Sequence, residues 1–196
     1  MARIIAGQAG GVRLTTPRGA TTRPTTDRVR EALFAALATW TGGAAGPASE
    51  QLHEVDVLDL FAGSGALGLE AASRGARRVV WVERDRAACA VIERNRATAG
   101  LDGRVVVSSV GSYLDRPAGR PFDVLLLDPP YVMANEELAG LLDRAATHGF
   151  IAPDGLVVVE RDARSAEPQW PSALTLGWSR RYGESCLYFC RPRERA

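Results

Sequence analysis

The chain has 196 residues, of which 46% are hydrophobic, and its formal net charge is only +1. This length and apolar content are those of one α/β domain with a packed core. No stretch approaches the ~18 uncharged apolar residues of a transmembrane helix, and the N-terminus has no apolar signal sequence, so we expect a cytoplasmic protein not bound to a membrane. Cys89, Cys186 and Cys190 fit no zinc or redox spacing and are interpreted as small buried hydrophobic residues, so no metal site is expected.

The charge is concentrated at the two ends of the chain. Residues 1–30 contain six arginines and one aspartate, and residues 180–196 contain five arginines and two glutamates. Arg3 to Leu14 alternates weakly around a glycine pair, which predicts a β-hairpin. Because the guanidinium fork suits phosphate, we predict that residues 1–25 form a basic arm outside the core that binds a nucleic-acid backbone. The candidate contacts in and just beyond this arm are Arg3, Arg13, Arg18, Arg23 and Arg28.

Residues 26–196 have the alternating pattern of an α/β domain. A helix is predicted from Thr26, with an exposed face that carries Arg28, Arg30 and Glu31. Strands are then predicted at 55–60, 78–83, 104–108, 122–128, 156–160, 173–179 and 186–191, and further helices at 66–74, 86–99 and 135–147. This order predicts a doubly wound sheet with an antiparallel pair at one edge, which binds ligands at the carboxyl ends of its strands.

A glycine-rich turn follows the first predicted core strand. Gly63, Gly65 and Gly68 match G-x-G-x-x-G, a pattern that allows a tight turn, close approach of the backbone to a ligand, and close helix–strand packing. The next strand ends in Glu83, where a carboxylate is placed to accept both hydrogens of a ribose diol. The two motifs together predict a nucleoside-like cofactor.

The residues near the turn distinguish between two such cofactors. Asp59 would repel a pyrophosphate but would attract the ammonium group of an amino acid, which favours S-adenosylmethionine over a nicotinamide dinucleotide. A hydride-transferring enzyme also needs an acid–base residue, and neither His53 nor His148 lies near a motif. The predicted contacts of S-adenosylmethionine are Asp59, Phe61, Gly63, Gly65, Glu83, Ser109, Val110 and Asp128.

Asp128-Pro129-Pro130-Tyr131 follows an apolar run that is typical of a buried parallel strand. Two consecutive prolines hold the backbone extended and offer carbonyl acceptors without competing N–H donors. The Asp128 carboxylate and the Pro129 carbonyl are therefore suited to accept the two hydrogens of an exocyclic amine, while Tyr131 stacks on the base that carries it. Acceptors for an amine do not distinguish guanine N2 from adenine N6, so both bases remain candidates at this point.

These motifs together resemble the RsmD family of bacterial ribosomal RNA methyltransferases. The resemblance is carried by the segments 59–70 and 128–131, by Glu83, and most specifically by the block 23–34, and it covers nearly the whole chain. A Gly/Ala-rich stretch at 41–49 departs from the family pattern as an apparent insertion. The resemblance implies the seven-stranded class I methyltransferase fold, a monomer, and methyl transfer to the N2 amine of guanine 966 in 16S ribosomal RNA, within a 30S subunit or a late assembly intermediate.

Two other classes of function remain open from the sequence. One is a nicotinamide-dependent oxidoreductase, which Asp59 and the missing acid–base residue disfavour. The other is a non-catalytic RNA-binding or assembly factor that has kept a cofactor pocket, which the intact segment 128–131 disfavours. Among methyltransferases, the alternative is adenine-N6 methylation of DNA or RNA.

Overall fold

The computed structural model describes residues 2–17 and 26–193. Its sheet is formed by β1 (Asp56–Leu60), β2 (Arg78–Glu83), β3 (Arg104–Val107), β4 (Phe122–Leu127), β5 (Ile151–Asp162), β6 (Leu174–Tyr182) and β7 (Ser185–Pro192). The helices are α1 (Asp27–Trp40), α2 (Ala66–Ser73), α3 (Arg86–Ala99), α4 (Val110–Leu114) and α5 (Asn135–Thr147), with two short 3₁₀ turns at Gly43–Ala45 and Ala48–Glu50. Within the described residues, no helix is long and apolar enough to cross a membrane.

The strands lie in the order β3-β2-β1-β4-β5-β7-β6. The first five run parallel, and β7 pairs antiparallel with both β5 and β6. The chain leaves β1 in one direction and returns to its other side at β4, so the carboxyl ends of these two neighbours flank a topological switch point. The predicted doubly wound, seven-stranded sheet with an antiparallel edge pair is therefore confirmed.

Helices cover both faces of the sheet, and alternate strand residues face opposite layers. In β1, Val57 packs in the layer that contains the apolar faces of α1, α2 and α3, whereas Leu58 and Leu60 pack with α4 and α5. All five residues of β1 are buried, as expected for a central parallel strand. Trp81 of β2 is fully buried under α2 and α3, and it positions the glycine turn described below.

The N-terminal segment packs on this core, where the sequence predicted an arm outside it. One antiparallel bridge joins Arg3 to Arg13, so the segment pairs at a single point where the sequence predicted a β-hairpin. Ile4 and Leu14 are buried in the same cluster as the sheet residues, and the backbone N–H groups of Ile5 and Ala6 donate to Glu70 of α2 at 2.6 and 3.1 Å. Residues 2–17 are thus part of the domain; a boundary at residue 25 stays a prediction, because residues 18–25 lie outside the described residues.

Helix α1 begins as predicted, but one of its arginines is misassigned. The Thr26 hydroxyl caps the helix by accepting from the Val29 N–H. Arg28 and Glu31 are exposed, as expected. Arg30 is fully buried, because the N-terminal segment covers it and its Nη2 donates to the Arg3 carbonyl at 2.7 Å. The helical pattern of α1 could not reveal this burial, since the segment that covers Arg30 is distant in sequence.

Other differences are local. Helix α4 was not predicted because five residues are too few for a periodic pattern, although Ser109 is a recognisable cap that accepts from the Ser112 N–H. Strand β5 starts at Ile151, five residues earlier than expected, and pairs there with Phe122 before a bulge. Cys89 and Cys190 are buried as predicted, and burial raises the pKa of Cys190 to about 12.

Candidate active site

A cavity of about 720 Å³ lies at the carboxyl ends of β1, β2 and β4, beside the switch point of the sheet. This is the position in which open α/β sheets bind ligands, because the loops that follow parallel strands meet there. Nearly all of the predicted site residues line it. They are Asp59, Phe61, Gly63, Glu83, Ser109, Val110, Asp128, Pro129 and Tyr131.

The turn after β1 presents its backbone to the cavity. Gly63 adopts a φ of +55°, and a Cβ on it would meet only the Phe61 carbonyl oxygen, at an ordinary contact distance of 3.9 Å. Phe61, which is not glycine, also has a positive φ of 62°. Such a conformation is strained for an ordinary residue and is kept only where the surroundings hold it in place. The turn is therefore shaped for close approach of a ligand to the backbone.

Gly65 and Gly68 have a different role from Gly63. A Cβ on Gly68 would lie 2.2 Å from Nε1 of Trp81, and one on Gly65 would lie 3.0 Å from Ile92. Both glycines thus allow α2 to pack closely on β2 and α3, as the motif predicted for its third glycine. Gly65, which we predicted as a cofactor contact, is not among the residues that line the cavity.

Asp59 lies at the floor of the cavity and is 1% exposed. Its Oδ2 accepts from the Gly68 N–H at 2.8 Å, which ties the start of α2 to β1. Burial raises the pKa of Asp59 to about 7, the Gly68 bond lowers it, and the nearby Glu83 carboxylate raises it further. A cation that arrives next to this carboxyl group would favour its ionised form.

Glu83, at the end of β2, braces the glycine turn. Its Oε2 accepts from the Gly63 N–H at 2.9 Å, and its Oε1 accepts from the Asp85 N–H at 2.9 Å. A carboxylate oxygen has two lone-pair sites, so each oxygen of this cavity-lining residue retains one acceptor position. Glu83 is therefore both a structural link between two strand ends and a suitable acceptor for a diol.

The segment 128–131 forms a tight turn after β4. The Pro130 carbonyl accepts from the Met133 N–H at 2.9 Å, whereas the Pro129 carbonyl accepts no hydrogen bond from residues 2–17 or 26–193. Asp128 is half-buried, and Tyr131 is 44% exposed at the rim. The next residue, Val132, is 94% exposed. An acceptor-rich turn with an aromatic ring at its edge is suited to a planar ligand that enters from solvent.

The opposite wall is formed by the residues after β3. Val110 is buried and Ser109 is exposed, with its hydroxyl engaged at the start of α4. Ser112 and Tyr113 of the same short helix, α4, line a second cavity of about 1070 Å³ instead. Ser108 lines both cavities. The strand assignment extended over Ser108, so the sequence analysis did not identify it as a site residue.

The predicted nucleic-acid contacts lie on the surface where they are described. Arg3, Arg13 and Arg28 are exposed, and the Arg3 Nε lies 3.5 Å from Asp27. Arg18 and Arg23 lie outside the described residues. Among residues 2–17 and 26–193, no group of His, Cys, Asp and Glu side chains has the arrangement of a metal site.

Several residues that line the cavity were not predicted from the sequence. Ala88 of α3, Leu141 of α5 and Met133 supply apolar surface, and Arg30 of α1 supplies the one buried cation among the described residues that line it. Only Arg30 carried a signal, because it falls inside the block 23–34 that marks the family resemblance. The apolar residues follow helical spacing that is equally typical of ordinary core positions.

Comparison with known proteins extends the resemblance to the whole chain. The family described as "Conserved hypothetical protein 95" matches residues 2–191. The Escherichia coli K12 protein named "Ribosomal RNA small subunit methyltransferase D" is 39% identical over 177 residues, which cover 89% of this chain and 81% of that protein. The Bacillus subtilis "Putative rRNA methyltransferase YlbH" is 33% identical over 185 residues, which cover 92% and 94%.

A solved structure shows the same fold over its full length. It is described as "Putative methyltransferase yhhF from Escherichia coli", and it superposes with a TM-score of 0.81 at 33% identity, covering 99% of both chains. The seven-stranded sheet is therefore that of the class I methyltransferases. Because the family match spans almost every residue and the relatives exceed 30% identity, the chain belongs to the RsmD family.

Proposed function

We propose that the protein transfers a methyl group from S-adenosylmethionine to the N2 amine of a guanine in 16S ribosomal RNA. The observation that carries this proposal is that Asp128, the Pro129 carbonyl and Tyr131 line the same cavity as the glycine turn and Glu83. A donor cofactor and an amine acceptor are thus accommodated side by side. The names of the relatives, which refer to ribosomal RNA of the small subunit, support the choice of substrate.

The residues fit the cofactor group by group. Glu83 accepts the ribose hydroxyls through its remaining lone pairs, and the strained turn at Phe61 and Gly63 lies against the methionine end. Asp59 attracts the ammonium group. Val110 and Ala88 supply apolar surface for the adenine, and Ser109 borders it. S-adenosylmethionine supplies the activated methyl group, and every other part of the chemistry falls to the protein.

The acceptor nitrogen is a poor nucleophile, because its lone pair is delocalised into the guanine ring. An aspartate with an ordinary pKa of ~3.9 is too weak a base to remove a proton from this amine beforehand. Asp128 and the Pro129 carbonyl instead accept the two N–H bonds and draw the nitrogen toward tetrahedral geometry, which directs its lone pair at the methyl carbon. Positive charge that develops on nitrogen in the transition state is stabilised by these fixed acceptors.

The balance of the step is simple. The bond between sulfur and the methyl carbon breaks as the bond between that carbon and N2 forms, and S-adenosylhomocysteine is the leaving product. The methylated nitrogen then releases one proton to solvent. Tyr131 stacks on the guanine, which must leave its helix or loop to reach the cavity. The exposed position of Tyr131 at the rim supports this role.

The substrate is proposed to be the 30S subunit or a late assembly intermediate, in the cytosol where ribosomes assemble, and the enzyme acts as a monomer. Exposed Arg3, Arg13 and Arg28 contact the RNA backbone, since arginine donates to phosphate in a fixed fork. Arg18 and Arg23 are proposed to join them. Asp128 and Pro129 bind the exocyclic amine, and the arginines add affinity without sequence preference.

Two experiments separate this function from its alternatives. The first methylates small subunits from cells that lack the enzyme, followed by nucleoside mass spectrometry; we expect N2-methylguanosine, and finding N6-methyladenosine would assign the adenine chemistry instead. The matched control uses the Asp128→Ala variant. The second measures binding of labelled NAD and S-adenosylmethionine, and preferential binding of NAD would indicate an oxidoreductase. Cofactor binding without any methyl transfer would indicate a non-catalytic assembly factor.

A further inference from the structure

Arg30 combines complete burial with incomplete hydrogen bonding. Its side chain is 0% exposed, and only its Nη2 has protein partners, the Arg3 carbonyl at 2.7 Å and the Asp27 carboxylate at 2.6 Å. Its Nε and Nη1 are buried and have no hydrogen-bond partner in the described part of the chain. A buried guanidinium with unpaired N–H groups is costly, because those donors have lost water without gaining an acceptor.

The position of Arg30 indicates what the missing acceptor is. It lies in the first turns of α1 and lines the cavity that also contains Asp59 and Gly63, the residues assigned to the cofactor's methionine portion. The other two arginines that line this cavity, Arg84 and Arg144, are exposed, and Arg144 is paired with Asp115 at 3.2 Å.

The charges that surround Arg30 restrict the ligand group further. The other ionisable groups that line the cavity are mostly acidic: Asp59, Glu83, Asp85, Asp128, Glu136 and Glu137. These acids complement the ammonium and sulfonium cations of S-adenosylmethionine but would repel its carboxylate. A buried cation is therefore required at one point of the wall, and Arg30 is the residue that provides it.

We propose that Arg30 binds the carboxylate of the cofactor's methionine portion, with Asp59 facing the ammonium group. Arg30 is then a cofactor-binding residue, and its contact to the Arg3 carbonyl makes the N-terminal segment part of the cofactor site. Docking of residues 2–17 on the core fixes Nη2 of the guanidinium, which leaves Nε and Nη1 as the donors that we assign to the carboxylate. This proposal rests on the assignment of the cavity to S-adenosylmethionine and is independent of which base is methylated.

The test compares two ligands that differ in one group. Decarboxylated S-adenosylmethionine keeps the adenosine, the sulfonium and the ammonium group but lacks the carboxylate. Calorimetry on the wild-type protein should show about tenfold to a hundredfold tighter binding of S-adenosylmethionine, the range expected for charge-assisted hydrogen bonds to a carboxylate. Equal affinity of the wild-type protein for both ligands would overturn the proposal.

Variants then locate the effect. Arg30→Met should weaken the binding of S-adenosylmethionine by the same factor and leave the affinity for decarboxylated S-adenosylmethionine within about twofold of the wild type. Arg30→Lys should have an affinity for S-adenosylmethionine between those of the wild type and Arg30→Met. Equal weakening of both ligands would mean that Arg30 is only a structural anchor of α1. The matched control is Arg96→Met, which removes a half-buried arginine that pairs with Glu93 and does not line the cavity; its discrimination between the two ligands should stay that of the wild type.

Two safeguards keep the outcomes distinct. If Arg30→Met does not fold, the wild-type comparison still decides, because it requires no substitution. A wild-type protein that binds neither ligand would overturn the cofactor assignment of the cavity, on which the proposal rests, whereas equal binding of both overturns only the role of Arg30. Circular dichroism on each variant checks that the fold is retained.

Discussion

Two cavities share Ser108, and they differ in chemistry more than in size. The larger, of about 1070 Å³, extends along β2 and β3 from their amino ends and is lined by five arginines, Arg77, Arg78, Arg104, Arg116 and Arg120. The smaller, of about 720 Å³, lies at the carboxyl ends of β1, β2 and β4 and collects most of its charge from carboxylates. A choice by volume alone would therefore favour the larger cavity, although the predicted site residues line the smaller one.

The arginines of the larger cavity are mostly engaged in holding the fold. Buried Asp56 pairs with Arg77, Arg78 and Arg120 at 2.8, 3.1 and 3.2 Å, and Arg78 also stacks on Phe122 with 3.9 Å from its Cζ to the ring centroid. In the smaller cavity, Asp59, Glu83 and Asp85 accept hydrogen bonds from backbone N–H groups. The direction of the strands and the unused acceptor positions of carboxylates such as Glu83 therefore indicate the site better than cavity volume does.

The largest expected effect comes from the acceptor that contacts the base. Asp128→Ala should lower methyl transfer by about 10³-fold or more, because the developing positive charge loses a preorganised acceptor, while S-adenosylmethionine affinity stays within a few-fold. Single-turnover methylation of small subunits and calorimetry measure the two quantities. Asp102→Ala, in the arginine-lined cavity, is the matched control and should leave both unchanged. A variant at Asp128 that keeps most of its turnover would remove this residue from the mechanism.

Glu83→Ala should affect the cofactor first. Loss of even one hydrogen bond to a charged acceptor, at about 1.5–3 kcal/mol, predicts at least roughly tenfold weaker binding of S-adenosylmethionine. Because Glu83 also accepts from the Gly63 N–H, Glu83→Gln should lose less than Glu83→Ala. Calorimetry measures both, and thermal unfolding checks the turn. Unchanged affinity in the alanine variant would refute the ribose assignment.

The raised pKa of Asp59 predicts that cofactor binding depends on pH. In the free protein burial raises this pKa to about 7, so the group holds a proton below that pH. The cofactor's ammonium favours the ionised form, so binding below pH 7 releases the proton and affinity rises with pH, by at most roughly tenfold per unit, until it levels off above about 7. Calorimetry at pH 6 in two buffers should detect this release. Asp59→Asn should abolish the pH dependence, and a variant that retained it would point to another group.

The smallest effect is expected at the surface. Arg13→Ala should weaken subunit binding only a few-fold and reduce the slope of log K against log salt by roughly 0.7–0.9 for one lost phosphate contact. A point substitution is a cleaner test than deletion of residues 2–17, because that segment contributes buried residues to the core. Arg104→Ala provides the comparison from the other cavity. A larger loss of slope in Arg104→Ala than in Arg13→Ala would identify the arginine-lined cavity as the RNA-binding surface.

Local sequence patterns were sufficient for most elements. Helices α3 and α5 and strand β2 have the predicted bounds, because their periodicity lies within each segment. Strand β5 is longer than predicted because its first residue, Ile151, is held by pairing with Phe122, a contact between distant segments. The misassigned exposure of Arg30 has the same origin, since the covering residues come from the start of the chain.

The sequence by itself determined the family, the order of strands and helices, and a set of strand-end residues predicted for the site, nearly all of which line one cavity. These follow from local rules: apolar periodicity, glycines where φ is positive, and carboxylates at the ends of parallel strands. Only the tertiary structure decided that Gly65 lies against Ile92 and outside the cavity lining, that Arg30 is buried in the cavity wall, and that the N-terminal segment belongs to the core. Each of these depends on which distant side chain or backbone group lies nearby, and no spacing within a segment encodes that.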